Sequence, residues 1–251
     1  MTPWEAAAVF AAGIAAGGIN VVVGSGSLIT FPTLLAVGIP PITANIANNV
    51  GLVPGSLTGV LGYRSELSGQ RDRLVRLGVA SVVGALIGGV LLLRLPESAF
   101  QVIVPVLIAV ACVLVVFQPQ INRWLMRRRE NAHPHGGPVL WAAVLAAGAY
   151  GGYFGAAQGV VLIGLLGAFL DEDLQRVNAA KNMLVLLVNG AAAVLFTVVA
   201  HVDWAAAGLV ALGSMVGGYL GARVGRRLPA PVLRGIVVCV GVLAIVKLLT
   251  E

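Results

Sequence analysis

Charged side chains are scarce in this chain. They make up 10% of its 251 residues, against roughly 25% in a soluble domain. Hydrophobic residues reach 59% and mean hydropathy is +0.96. That balance excludes a soluble globular enzyme and predicts an integral membrane protein. Cysteine is nearly absent: Cys112 and Cys239 each sit within an apolar run, where thiols behave as small hydrophobes, so neither a disulfide nor a metal site is expected. The net charge of +6 does not imply a nucleic-acid partner. Fourteen of the sixteen basic residues are arginines gathered in a few short loops, where they act as topology signals.

Acidic residues are also few, and every one, from Glu5 to Glu251, lies at a segment end or in a loop. A carboxylate proton relay within the membrane is thereby excluded. No Gly-x-x-x-x-Gly-Lys-Ser/Thr loop occurs, so ATP does not drive the chain directly. No Ser–His, Cys–His or His–Glu pairing falls inside the membrane, and the potassium-channel filter motif is missing. No catalytic residue, cofactor or metal is expected, and the chain is not read as an enzyme. The start, Met1 to Glu5, has no basic region, so a cleaved signal peptide is not expected.

What is present is said twice. Asn45-Ile46-Ala47-Asn48-Asn49 recurs about 133 residues later as Asn178-Ala179-Ala180-Lys181-Asn182. Gly17-Gly18 precedes the first copy and Gly151-Gly152 the second. Gly84, Gly88 and Leu95-Pro96 follow the first; Gly217, Gly221 and Leu228-Pro229 follow the second. Two related apolar halves with amides at matching positions are the pattern of a secondary transporter.

Apolar segments of near-spanning length are Trp4–Val23, Ala44–Tyr63, Leu74–Leu95, Ala99–Phe117, Val139–Ala157, Ala179–Ala200, Trp204–Val224 and Val232–Leu249. Two runs are too short, Ser27–Ile39 and Val160–Leu170, and they occupy matching places after the breaks at Gly24–Ser27 and Ala156–Gly159. The basic loops at Arg64–Arg76, Arg123–Arg129 and Arg223–Arg227 are all expected to be cytoplasmic. Parity then holds only if the short runs turn the chain back as re-entrant hairpins. The expected fold is all-α, with two inverted-topology repeats, each a broken hairpin plus three spanning helices and both chain ends periplasmic. Residues 1–117 form the first repeat, 118–138 a basic cytoplasmic linker and 139–251 the second repeat. His133 and His135 are read as solvated linker residues.

Three features carry chemistry. Asn45, Asn48 and Asn49 share one helix face, and Asn178, Lys181 and Asn182 repeat that geometry. Amides in hydrocarbon need partners, which either neighbouring helices or a substrate supply. At Gly24-Ser25-Gly26-Ser27, glycine permits close approach to a ligand and serine adds donors. A short helix beginning there turns its positive end to the tip, and Gln158-Gly159 faces it from the other repeat. Lys181 is placed about five residues inside its helix, where it either snorkels or offers positive charge to an anion.

These residues resemble a family. Gly24–Leu35 with Pro40, Asn45, Asn48, Pro54-Gly55 and Gly62-Tyr63-Arg64, and then Tyr150–Gly152 and Asn178–Asn189, are similar to the two repeats of the sulfite exporter (TauE/SafE) family of bacterial membrane permeases. The resemblance implies a multi-pass cytoplasmic-membrane transporter of small anions such as sulfite or sulfoacetate. Where many members carry Gly-Thr-Ser, this chain has Asn48-Asn49 and Lys181-Asn182. The expected function is export of a small organosulfur or sulfur oxyanion by alternating access around one central site. That site comprises Gly24, Ser25, Gly26, Ser27, Asn45, Asn48, Asn49, Gln158, Gly159, Asn178, Lys181 and Asn182. The expected partners are a small anionic substrate and the lipid bilayer, with homodimerisation left open. Two alternatives stand: a channel-like facilitator of another solute, and a non-transporting assembly partner.

Overall fold

A computed structural model describes residues 1–127, 137–224, 235, 238–240 and 242. Its helices are α1 (Pro3–Val22), α2 (Ser27–Ala36), α3 (Pro41–Gly62), α4 (Arg71–Arg94), α5 (Glu97–Arg127), α6 (Gly137–Tyr153), α7 (Gln158–Phe169), α8 (Leu174–Val199) and α9 (Trp204–Val224). No strand occurs among the described residues. Helices α1, α4, α8 and α9, and residues 98–120 of α5, are long and apolar enough to cross a bilayer. The protein is therefore an all-α, multi-pass membrane protein. A helix, a short apolar helix and two longer helices occur twice in that order, as α1–α4 and as α6–α9.

Capping chemistry explains several boundaries. Thr2 and Glu5 form a reciprocal capping box at α1, with Pro3 in the first turn. Asp173 accepts from the backbone N–H groups of Gln175 and Arg176 at 2.8 and 3.0 Å, which starts α8 at Leu174 and not at Ala179. Lys181 therefore lies about 10 Å into its helix at 1.5 Å per residue, deeper than the apolar pattern suggested. Pro41 likewise opens α3 ahead of Ala44. Helix α5 continues past Phe117 to Arg127, so helical backbone enters the stretch read as linker. The histidines at 133 and 135, the basic residues 226 and 227, and most of the span expected at Val232–Leu249 lie outside the described residues.

Packing does not follow the sequence halves. Helix α1 packs most extensively on α9, and α6 on α4; α9 also packs on α3, and α4 on α8. The first helix of each half thus pairs with the fourth helix of the other. Two interlocked bundles result, one of α1, α2, α3 and α9 and one of α6, α7, α8 and α4. Glycine makes the exchange fit: a Cβ at Gly217 would lie 1.9 Å from the Ile14 carbonyl oxygen, and one at Gly84 2.2 Å from that of Leu145. These matched positions allow backbones to touch where lipid offers no hydrophobic drive to associate.

At one end of the second bundle, Glu172 stitches α4 to α8. Its carboxylate accepts from Arg73 Nη1 at 3.0 Å and Arg176 Nε at 2.5 Å. Gln70 Nε2 also donates to the Arg176 carbonyl at 3.2 Å. Burial works to raise the Glu172 pKa, but the hydrogen bonds from Arg176 and Arg73, and then their charges, outweigh it and hold the carboxyl below its ordinary value.

Two outcomes follow. Gly84→Leu and Gly217→Leu each force a bundle apart, and overpacking of about 1–3 kcal/mol lowers the melting temperature of purified protein in detergent. Glu172 has a depressed folded pKa, so its contribution is complete above the ordinary carboxylate pKa of about 4.3 and is lost as pH falls through the folded value. Melting curves of Glu172→Gln are expected to lose that acid-dependent step, at a cost near neutrality of about 1 kcal/mol for a partly exposed ion-pair cluster.

Candidate functional site

Both short helices begin where two chain breaks meet. Gly24, at φ +88°, and Gly155, at φ +75°, give the left-handed backbone that turns each hairpin. The tips touch backbone to backbone: Gly159 N–H donates to the Gly24 carbonyl at 3.0 Å. A Cβ at Gly24 would sit 2.4 Å from the Gly159 Cα. Neither α2 nor α7 has a side-chain cap at its N-terminus, so two positive helix ends converge on this contact.

The first helix of each half stops beside it, leaving C-terminal carbonyls that need donors. The amide-bearing helices supply them across the bundles. Asn45 Nδ2 donates to the Tyr153 carbonyl at the end of α6, at 2.9 Å. Asn178 Nδ2 donates to the Val21 carbonyl near the end of α1, at 3.3 Å. Ser56 and Asn189, 133 residues apart, bond to each other at 3.4 Å, so corresponding positions meet.

Lys181 breaks the correspondence. Its side chain is 0% exposed, and Nζ donates to the carbonyls of Asn20 at 2.9 Å and Val21 at 3.0 Å and to Asn182 Oδ1 at 2.7 Å. All three ammonium hydrogens are taken, and the cation sits on the negative end of α1, where charge and helix dipole attract. The lysine neither snorkels nor presents a spare donor. Its counterpart Asn48 accepts from the Thr30 hydroxyl and donates to Ser27 Oγ at 3.2 Å, joining α3 to the start of α2.

Other polar atoms here have no partner among the described residues. Ser25 Oγ, Gln158 Nε2, Asn49 Oδ1, Asn178 Oδ1 and Tyr153 Oη are buried and unbonded. Ser25 and Gln158 are each next in sequence to a residue of the tip contact, and both are donors. Gln158 lies against Gly151, where a Cβ would come within 2.4 Å of its amide. A Cβ at Gly26 would come within 2.4 Å of the Ala16 carbonyl oxygen, so this glycine lets α2 start against α1. Asn182 reaches the Val21 carbonyl at 3.4 Å.

All twelve residues singled out in the sequence thus lie on the tips or on the helices that cap them. Sequence reasoning passed over Thr30, Tyr153 and Asn20. Thr30 was signalled by its place one turn into α2. Tyr153 and Asn20 act partly through backbone carbonyls, which residue type does not reveal. Tyr153 also joins an aromatic cluster in which Phe31, Phe100 and Phe154 make edge contacts, seating the second tip on α5.

Lys181→Met is expected to leave the Asn20 carbonyl buried without its donor, at about 1–3 kcal/mol, and to remove the shortest of three hydrogen bonds to the Val21 carbonyl. The melting temperature in detergent should fall well below that of Asn178→Ala, which removes one long hydrogen bond. Equal stability of the two variants would show that the lysine is not the cap.

Comparison with known proteins agrees with this architecture. The profile of the sulfite exporter TauE/SafE family matches residues 9–248. The "Probable membrane transporter protein YfcA" of Escherichia coli K12 is 27% identical over 229 residues, covering 91% of this chain and 82% of that one. A "Probable membrane transporter protein" of Haemophilus influenzae is 25% identical over 246 residues, covering 98% and 94%. The ORF9 "Probable membrane transporter protein" of a Sinorhizobium species is 24% identical over 244 residues, covering 96% and 91%. No solved structure matches significantly.

Proposed function

We propose, on the premise that this chain belongs to the sulfite exporter TauE/SafE family of membrane transporters, that it exports a small sulfur or organosulfur oxyanion such as sulfite or sulfoacetate. The observation that carries the reading is the meeting of two uncapped helix N-termini at tips bearing the unbonded donors Ser25 Oγ and Gln158 Nε2. Preorganised donors and helix dipoles at one buried point suit an oxyanion. They suit a neutral or cationic solute poorly, which places the channel-like alternative second. Orphaned buried donors also weigh against a mere assembly partner, whose amides would be expected to pair fully.

In this reading Ser25, Gln158 and the positive end of α2 replace the anion's hydration. Asn49 and Asn178 bind its water or a protonated oxygen, while Asn45, Asn48, Lys181 and Asn182 position the helices that carry the tips. The repeats are inverted, as the arginine-rich loops imply. Alternating access is a motion of the two interlocked bundles against each other, pivoting on the tip contact and on Ser56–Asn189. The sequence halves cannot rock as units, because each contributes helices to both bundles. A potential negative inside favours anion exit by about 2.3 kcal/mol per charge per 100 mV, so export needs no coupling ion.

The test is flux of labelled sulfite and small sulfonates in proteoliposomes at imposed potentials. Flux should follow the potential, and Ser25→Ala and Gln158→Ala should each reduce it by about tenfold, the equivalent of one lost hydrogen bond to a charged group, with melting temperature unchanged. Movement of a neutral solute at equal rate in both variants would overturn the anion reading.

A further inference from the structure

An open groove of about 600 Å³ runs along the outside of the second bundle, away from the tips. Val75, Val79 and Val83 of α4 form one wall and Met183 and Leu187 of α8 contribute to the other, with Arg71 at one end. The three valines are 59%, 54% and 41% exposed, so the groove faces the bilayer. Its lining is almost wholly apolar apart from that terminal arginine. We propose that it is a specific site for an anionic phospholipid, with one acyl chain between α4 and α8 and the headgroup phosphate on Arg71.

Dimensions and charge select this occupant. From Arg71 to Val83 the helix rises about 18 Å at 1.5 Å per residue, and one leaflet's hydrocarbon is about 15 Å, half of a core of about 30 Å. The groove therefore starts at one membrane surface and ends near the midplane, as a single acyl chain does. Arg71 is exposed and enters no hydrogen bond or ion pair among the described residues. Arg64 and Arg76, also exposed, lie in the same basic stretch, on the side where arginine-rich loops and anionic headgroups coincide. A second copy of the chain fits less well. A twofold axis along the membrane normal would set Arg71 at the same depth in both copies and bring like charges toward each other.

The full chain, purified in mild detergent with equimolar phosphatidylglycerol and phosphatidylcholine, would be examined for retained lipid by native mass spectrometry. Wild type should hold phosphatidylglycerol in preference. Arg71→Gln should cut that preference about fivefold, the effect of one basic residue at an anionic surface. Val79→Trp, at an exposed position, should fill the groove and release both lipids. Equal retention of the two lipids by wild type, or undiminished preference in Arg71→Gln, would overturn the proposal. So would a Val79→Trp variant that keeps its lipid but changes from dimer to monomer, since the groove would then be a subunit interface.

Discussion

A helix that stops inside a membrane leaves carbonyls and N–H groups with no water to receive them, and four such ends meet among the described residues. The last turns of α1 and α6 and the first turns of α2 and α7 all fall at the same place. The carbonyl ends are answered by Asn45 in one bundle and by Asn178, Lys181 and Asn182 in the other. The N–H ends are answered by bonds within the turns, from Leu28 to the Ser25 carbonyl and from Gln158 to the Gly155 carbonyl among them, and across the tips by Gly159 on Gly24. Every other feature of the core is arranged around that debt in hydrogen bonds. The amides stand where the carbonyls end, and the glycines stand where the backbones must touch.

The two halves solve the same problem with different chemistry. At one position Asn48 binds side chains of α2, whereas its counterpart Lys181 binds the backbone of α1. A neutral amide shared with hydroxyls holds its partners with dipoles alone. An ammonium on three oxygens adds charge and fixes α1 more firmly. The second tip is further seated by Phe154 against Phe31 and Phe100, so the tips are supported by unlike neighbours although their backbones correspond.

Much of this was written plainly in the sequence. The described helices came from apolar runs, and the two short ones from runs too short to span at matching positions. The amide-bearing residues from Asn45 to Asn49 and from Asn178 to Asn182 were found because their pattern recurs, and the tip residues because they break two matching apolar runs. What the pattern could not give was direction of bonding. Lys181 on an amide-bearing face reads as charge offered to a cavity, yet its hydrogens go to the carbonyls of Asn20 and Val21, and backbone acceptors carry no residue signature. Helix starts were misplaced for a related reason. Asp173 and Pro41 set them by local capping, while hydropathy begins only where the chain turns apolar.

The pairing of α1 with α9 and α6 with α4 bears on how the protein is made. Chain enters the membrane in order, so α1 arrives long before the helix whose Gly217 fits against it. Until then its glycine face meets lipid, and the first bundle exists only as fragments. The second bundle closes sooner, because α4 is already present when α6 follows. Assembly is therefore staggered. A ribosome must pass residue 217 before the opening helix acquires its lasting neighbour, and a nascent chain cut short between the halves holds no finished bundle at all.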